Sequence, residues 1–193
     1  MSEPSYHHGD LPAALVRSAV DLLQDDPDAD LSLRAIARAT GVSPAAPYRH
    51  FPNRASLMSA IAAVGYRELL NDLVARQPEP STAVDLADVA VGYVQFAVRR
   101  PGLFRVMFVE GCDRASPERV DAVAAIHDYL GAAVERTLAT DDLATTATGL
   151  WALVHGLAFL YLDGKLAWEP EDPEGLEEQV RTITLTTLAA RPR

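Results

Sequence analysis

Six basic or aromatic side chains that can donate hydrogen bonds to an anion lie within residues 31–60. They are four arginines, a tyrosine and a histidine: Arg34, Arg38, Arg49, Arg54, Tyr48 and His50. The segment contains no Asp or Glu, so it carries +4 in a protein of net charge −10, and the other 163 residues carry −14. So large a local reversal of charge indicates a surface that meets an anion which the rest of the molecule repels.

Local signals divide this segment into two short helices and a turn. Ser32 can cap a helix over residues 33–40, which Gly41 would end because glycine readily adopts a positive φ. Ser43 then predicts a second helix over residues 44–51, with a proline in its first turn. Two short helices joined by a turn of this length that contains Gly form a helix-turn-helix.

The apolar residues of the segment should face inward. The predicted core positions are Ile36, Ala37, Val42 and Phe51. Arg34 and Arg38 lie one turn apart on the outer side of the first short helix. Tyr48 and Phe51 flank the end of the second one; we assign Phe51 to the core and Tyr48 to the binding surface.

Helical periodicity, with Pro or Gly at the junctions, runs through the whole chain, and strand-like alternation is absent. Asp10 is placed to cap a first helix that ends at the acidic run 25–30. Its apolar face holds Leu11, Leu15, Ala19, Leu22 and Leu23. Further helices are predicted over residues 54–76, 83–99, 101–110, 117–138, 143–165 and 173–190. We expect an all-α protein of about nine helices, with a linker at residues 77–82.

Enzyme and metal chemistry find little support in the sequence. No Ser/His/Asp or Cys/His set stands at a recognisable spacing, and no Gly-rich phosphate loop occurs. The single cysteine, Cys112, excludes an internal disulfide and a multi-cysteine metal cluster. The adjacent His7 and His8 point apart and lack a third ligand. We expect no enzyme activity, no cofactor and no metal site.

The sequence also favours a soluble protein. The first residues are polar and lack the apolar stretch of a signal peptide. The longest apolar run, residues 149–162, has 14 residues and falls short of the ~20 needed to cross a bilayer. We therefore expect a cytoplasmic protein that does not enter a membrane.

Three parts of the sequence resemble the TetR family of transcriptional regulators. SLRAIARATGVSPAAPYRHFPNRASLMSAI is similar to its N-terminal domain, and YHHGDLPAALVRSAVDLL resembles the first helix of one large branch. Trp151, His155 and Gly156 resemble the W-x-x-x-H-G signature of a C-terminal domain in that branch. The resemblance implies a homodimer with a helix-turn-helix DNA-binding domain, residues 1–54, and a helical effector-binding and dimerisation domain, residues 55–193.

The resemblance assigns DNA contacts to nine positions. Tyr48, His50 and Arg54 match usual phosphate contacts, and Arg34 matches a position that reaches phosphate or a base edge. Phosphate contacts fix orientation but read no sequence. The residues left for base readout are Ser43, Pro44, Ala45, Ala46 and Arg49. Because Pro and Ala offer only apolar contacts, we expect Arg49, on guanine, and DNA shape to carry much of the selectivity. Arg38 is a solvated charge or a further phosphate contact.

Pro47 departs from the family pattern, in which a bulky aliphatic residue is commoner. A proline removes one backbone N–H donor. Counted from a cap at Ser43, Pro47 would be the fourth helical residue, and the lost bond would be the first of the helix. We therefore expect only slight damage to the helix over residues 44–51.

Six residues of the second half would suit an apolar small molecule with a polar handle: Phe96, Phe104, Met107, Phe108, Trp151 and His155. The alternative is that they form the core, with His155 as a hydrogen-bonded core histidine. The last two helices, around residues 149–162 and 176–188, would form a dimeric four-helix bundle. The small residues Gly149, Ala152 and Gly156 would allow close approach.

Family analogy suggests how a ligand would act. Binding would tilt the long helix over residues 54–76 and change the spacing of two DNA-binding heads. We therefore expect a homodimeric repressor that an apolar effector releases from its operator. Two alternatives stay open: an activator or ligand-independent regulator of the same fold, and a helical binding or enzyme-like protein without DNA binding. The acid-free segment 31–60 argues against the second.

Overall fold

The computed structural model describes residues 11–167 and 172–190, and within these ranges the chain forms helices joined by turns, without a strand. The eight α-helices are α1 (Leu11–Asp25), α2 (Leu33–Thr40), α3 (Arg54–Arg76), α4 (Ala83–Arg99), α5 (Pro101–Phe108), α6 (Pro117–Thr137), α7 (Leu143–Leu162) and α8 (Pro173–Ala189). The predicted all-α class is confirmed, and the bounds of α2, α3 and α4 agree with the sequence. The predicted cap Asp10 and the pair His7 and His8 lie outside the described residues.

Helix α2 begins and ends where its capping residues predict. The Ser32 hydroxyl accepts a hydrogen bond from the Ala35 N–H at 3.2 Å. Gly41 follows the last turn with a φ of 74°, a left-handed conformation that glycine adopts without steric cost. Ile36 and Ala37 are fully buried, so the opposite face of the helix carries its arginines to solvent.

The α-helix predicted over residues 44–51 does not form, and this prediction was wrong. The chain makes turns there, followed by one 3₁₀ segment, Pro47–Arg49. Pro47 has no N–H to donate to the Ser43 carbonyl, as an α-helix would require. That carbonyl accepts from the Ala46 N–H at 3.0 Å instead, a spacing typical of 3₁₀ geometry. Pro47 therefore disturbs the helix more than expected, and the described chain has eight α-helices rather than nine.

The chain divides into two compact units, and unit 1 comprises Met1–Gly65 and Gly102–Val120 as far as they are described. Its core contains Leu15, Ala19, Leu23, Ile36, Leu57, Met58, Ile61 and Phe104. Helix α5 starts close to the acidic turn that follows α1. A β-carbon on Gly102 would lie only 2.8 Å from the Pro27 carbonyl oxygen, so this approach requires a residue without a side chain.

Unit 2 comprises Tyr66–Pro101 and Asp121–Arg193, again as far as they are described. Helix α4 is its central element, because most of its residues are buried and it packs against both α7 and α8. Thr82 and Asp85 form a reciprocal capping box at its start, which satisfies two backbone N–H groups. The predicted functional boundary after residue 54 stays a prediction, since the two units are defined by packing alone.

Helix α7 is apolar but poorly buried within the chain. Only 17 % of the residues in its most apolar stretch are buried, and Leu160 is exposed. The apolar run identified in the sequence begins at residue 149, whereas the helix begins at Leu143. Its 20 residues are long and apolar enough to span a membrane by length and composition. The length argument against a spanning helix therefore fails. Such an exposed apolar surface is typical of a helix that meets another apolar surface.

Candidate nucleic-acid interface

The residues predicted to contact DNA all lie in unit 1, and all but one are exposed. The exposed ones are Arg34, Ser43, Pro44, Ala45, Tyr48, Arg49, His50 and Arg54, whereas Ala46 is half-buried. Tyr48 stands out because half of its large side chain is accessible to solvent. We call this set, without Ala46, the basic face. Its roles in DNA contact stay predictions.

The turn over residues 44–51 is anchored by two buried side chains. Pro47 and Phe51 are buried, while Tyr48, Arg49 and His50 between them are exposed. The Phe51 N–H donates to the Pro47 carbonyl at 2.8 Å, a bond that closes the turn between the two buried residues. The core position of Phe51 is confirmed. The burial of Pro47 explains how the turn directs three hydrogen-bonding side chains outward without an α-helix.

Arg54 is the first residue of α3, and its position is set by a local cap. The Asn53 side-chain oxygen accepts from the Ser56 N–H at 2.9 Å, and the Ser56 hydroxyl donates to the Asn53 carbonyl at 2.7 Å. The first of these bonds satisfies a backbone N–H that a helix start leaves unpaired. They hold Arg54 at the N-terminus of α3, where the helix dipole favours an anion.

The guanidinium of Arg54 already has a partner within unit 1. Its Nη1 atom donates to Oε2 of Glu110 at 2.8 Å, and both side chains are partly exposed. Glu110 was not predicted from the sequence. Glu110 follows Arg54 by 56 residues and belongs to the loop after α5, so no local pattern connects the two.

A carboxylate also borders the basic face at the start of α2. The Asp30 carboxylate accepts from the Ser32 N–H at 2.8 Å and from the Ser32 hydroxyl at 3.0 Å. The backbone hydrogen bond, followed by the hydroxyl and then by the charges of Arg38 and Arg54, lowers the pKa of Asp30. Asp30 is therefore an ionised neighbour of these arginines.

A second candidate site is a small apolar cavity in unit 2. It has a volume of about 50 Å³. Its lining comes from α4, α6, α7 and α8: Leu86, Val89, Ala90, Tyr93, Leu130, Val134, Ala147, Leu150, Trp151, Leu153, Val154 and Thr184. Of the six residues predicted to bind a ligand, only Trp151 is among them. Within the described chain, no group of three His, Cys, Asp or Glu residues could hold a metal ion.

The other predicted ligand residues are distributed over both units. Phe96 is buried in α4 of unit 2, and His155 is half-buried in α7. Phe104 and Met107 are buried in α5 of unit 1, where Phe108 is half-buried. The buried side chains have the surroundings of core residues. Hydrophobic periodicity does not distinguish a core position from the wall of a cavity.

Tyr93, which the sequence analysis did not select, provides the polar group of the cavity. Its hydroxyl lies 2.9 Å from Nδ1 of His155 and accepts a hydrogen bond from Nε1 of Trp151 at 3.3 Å. Burial raises the pKa of Tyr93 and lowers the pKa of His155. Both groups are therefore neutral near pH 7, and the tautomer of His155 determines which of the two donates. His155 is hydrogen-bonded, as expected of a structural histidine.

Two family models match this chain. "Bacterial regulatory proteins, tetR family" matches residues 15–61, and "Tetracyclin repressor-like, C-terminal domain" matches residues 86–183. The first match contains the basic face, and the second contains all the cavity residues except Thr184.

Relatives and solved structures agree with these matches. The uncharacterized HTH-type transcriptional regulator YobS of Bacillus subtilis is 25% identical over 172 residues, which cover 88% of each chain. A structure of a protein with unknown function from Rhodococcus sp. RHA1 is 30% identical, with a TM-score of 0.75 and coverage of 96% of this chain and 98% of that one. The TetR family regulator PfmR of Thermus thermophilus is 17% identical, with a TM-score of 0.63 and coverage of 93% and 99%, and shows the fold alone.

Proposed function

The chain belongs to the TetR family of bacterial regulators, and we propose from this that it is a homodimeric repressor which an apolar small molecule releases from its operator. As a member of that family it is a DNA-binding transcriptional regulator and not an enzyme. The proposal includes a cytoplasmic location, where operator DNA lies. The observation that carries it is the basic face of unit 1, which is exposed in an otherwise acidic protein.

DNA contact is divided between clamping and reading in this proposal. Arg34, Tyr48, His50 and Arg54 donate to phosphates, and Arg49 donates to a base edge in the major groove. The turn over residues 44–51 replaces a long recognition helix, so few side chains reach base edges. We expect the protein to hold the duplex firmly while reading few base pairs directly.

Dimerisation through α7 and α8 would cover the apolar surface that unit 2 exposes. Leu160 is exposed, and a β-carbon on Gly149 or Gly156 would meet no atom within 4 Å. A second copy of α7 and α8 could approach closely at these glycines and complete a four-helix bundle. A homodimer would also present two basic faces to the two halves of a palindromic operator.

The proposed effector would enter the unit 2 cavity and enlarge it. A cavity of about 150 Å³ is needed to hold benzene, whereas this one has about 50 Å³. An apolar effector must therefore displace lining side chains, and Trp151 on the poorly buried helix α7 is the most movable large one. The Tyr93 hydroxyl would supply the polar contact.

Selection of duplexes from a random DNA library with the purified protein tests the DNA-binding part. We expect an enriched palindrome whose half-sites lie about one helical turn, ~34 Å, or a multiple apart, and a solution mass of twice 20.8 kDa. Arg54→Ala should weaken binding to the selected duplex. Arg99→Ala is the matched control, because Arg99 is also an exposed, ion-paired arginine but belongs to unit 2. Equal losses in both variants, or no enrichment, would contradict the proposal.

A cavity-filling variant tests the effector part. Small apolar and aromatic molecules that raise the melting temperature should also release the selected duplex. Ala147→Leu should abolish this response while DNA binding persists, because Ala147 lines the cavity. Ala125→Leu, on the exposed side of α6, should leave the response unchanged. A response that survives Ala147→Leu would place the effector elsewhere.

A further inference from the structure

We propose that Glu110 competes with DNA phosphate for Arg54 and thereby limits the affinity of the basic face for any duplex. This inference rests on the proposed phosphate contact of Arg54. It adds a residue that the helix-turn-helix itself does not contain. Glu110 belongs to the loop between α5 and α6, residues 109–116.

The carboxylate of Glu110 occupies the kind of position that a phosphate oxygen would take. It lies 2.8 Å from Nη1 of Arg54, at the N-terminus of α3. The guanidinium is a charged hydrogen-bond donor of the kind that binds phosphate oxygens in many proteins. Glu110 thus acts as an internal anion at a phosphate position.

Hydrogen bonds fix the loop that carries Glu110 to the start of α3. The Asp113 N–H donates to the Ala55 carbonyl at 3.4 Å. The hydroxyl of Ser59, which is fully buried, donates to the Asp113 carbonyl at 2.9 Å. Because these contacts place the loop beside the first turn of α3, the Arg54–Glu110 pair is a property of the folded unit rather than a chance encounter of two long side chains.

The pair is nevertheless weak enough for DNA to break. Both side chains are well exposed, at 48% and 37%, and exposed ion pairs contribute little to stability because water screens them. A phosphate that approaches Arg54 must displace Glu110 or accept its negative charge as a neighbour. Either event opposes binding, so removal of the charge should tighten binding without unfolding the protein.

The test compares four variants of the full chain with the wild type on the selected duplex, by fluorescence anisotropy across a range of salt concentrations. The variants are Glu110→Gln, Arg54→Ala, the double variant, and Glu118→Gln. Glu110→Gln should tighten binding by roughly threefold to tenfold. The gain should be largest at low salt, because salt screens the repulsion between the Glu110 carboxylate and the phosphates. The gain should be similar for mismatched duplexes, since phosphate contacts read no sequence.

Glu118→Gln is the matched control, because it makes the same charge change on an exposed residue in the first turn of α6. In the Arg54→Ala background, Glu110→Gln should tighten DNA binding by no more than Glu118→Gln does. The inference would be overturned if Glu110→Gln tightened DNA binding only as much as Glu118→Gln does. It would also be overturned if the gain in affinity persisted in the Arg54→Ala background. Weaker binding by Glu110→Gln would also overturn it, because Glu110 would then orient Arg54 for DNA.

The failure of each proposal is distinguishable. If the wild type binds the duplex and Arg54→Ala loses affinity while Glu110→Gln behaves like Glu118→Gln, only the competition is wrong. If the wild type binds no duplex at any salt concentration, the DNA-binding role and this inference are overturned together.

Discussion

Polar and aromatic side chains are exposed on the basic face of unit 1, whereas aromatic side chains are buried in helix α4 of unit 2. Between Pro47 and Phe51, three polar side chains point to solvent and only the two flanking rings are buried. In α4 most side chains are buried, including the aromatic rings of Tyr93 and Phe96. Substitutions on the basic face should therefore change the proposed DNA binding without changing stability. In unit 2 a substitution in the proposed effector cavity should change both, because the cavity walls are also the core.

Ion pairs show the same contrast. The Arg54–Glu110 pair is a single exposed ion pair in unit 1, with the Asp30 carboxylate as a further charged neighbour of Arg54. In unit 2, Arg76 bonds both Gln95 and Glu177, and Arg181 pairs with Asp88; these contacts connect α3, α4 and α8. A connected network holds helices in place, whereas a single exposed pair is free to exchange partners. The difference favours a structural role for the network and a binding role for Arg54.

The largest effect expected from this contrast is on folding. Phe96→Ala should lower the free energy of unfolding by about 3–5 kcal/mol, because it removes a fully buried aromatic ring and leaves a cavity. Urea denaturation followed by circular dichroism measures this. Tyr48→Ala, which truncates an exposed aromatic, should change it by less than about 0.5 kcal/mol. A small loss at Phe96 would show that its ring lines a ligand site rather than the core.

The next effect concerns base discrimination. Arg49→Ala should reduce discrimination at one base pair of each half-site by about 1–3 kcal/mol, as expected of an arginine that donates to guanine. Titration of the variant against single-base changes of the selected duplex measures this. A loss that is uniform across all these duplexes would assign Arg49 to a phosphate instead.

Replacement of two glycines by alanine should change the free energy of unfolding in opposite directions. Gly41→Ala should lower the free energy of unfolding by about 1–2 kcal/mol, because φ is positive at this position. Gly131→Ala should stabilise α6 by about 0.5–1 kcal/mol, since Gly131 lies inside a helix with open space around it. Thermal unfolding of both variants checks the signs. Stabilisation by Gly41→Ala would contradict the capping geometry of α2.

The smallest effect is a pH dependence in unit 2. Burial lowers the pKa of His155 below its usual 6.5, so the unfolded chain binds more protons than the folded one just below pH 6.5. Stability from the neutral imidazole is therefore present above that pH and lost as the pH falls. The melting temperature of the wild type should fall between about pH 7.5 and about pH 5.5 by more than that of His155→Gln. An equal fall in the two proteins would contradict the assignment of this pH dependence to His155.

Local signals predicted the elements that local bonds determine. Ser32 and Gly41 indicated both ends of α2, because a cap and a left-handed glycine act within a few residues. The helix over residues 44–51 failed for an equally local reason that was underestimated. The Ser43 carbonyl needed an N–H donor at position 47, and because Pro47 has none the turn became 3₁₀.

The candidate sites depended on contacts that the sequence does not display. The basic face could be predicted because its members lie within about twenty residues and share a charge pattern. Glu110 and Tyr93 could not, since their partners Arg54 and His155 lie 56 and 62 residues away. Apolar spacing alone predicted the ligand residues, and the same spacing produces a core, as the full burial of Phe104 illustrates.

The salt dependence of binding to the selected duplex tests the central claim most directly. If the basic face binds DNA through phosphates, the logarithm of the association constant falls linearly with the logarithm of salt concentration. The slope should be about 0.9 for each phosphate neutralised, and it should be shallower in Arg54→Ala but unchanged in Arg99→Ala. Binding that does not vary with salt, or equal slopes in all three proteins, would contradict the assignment of DNA binding to this surface.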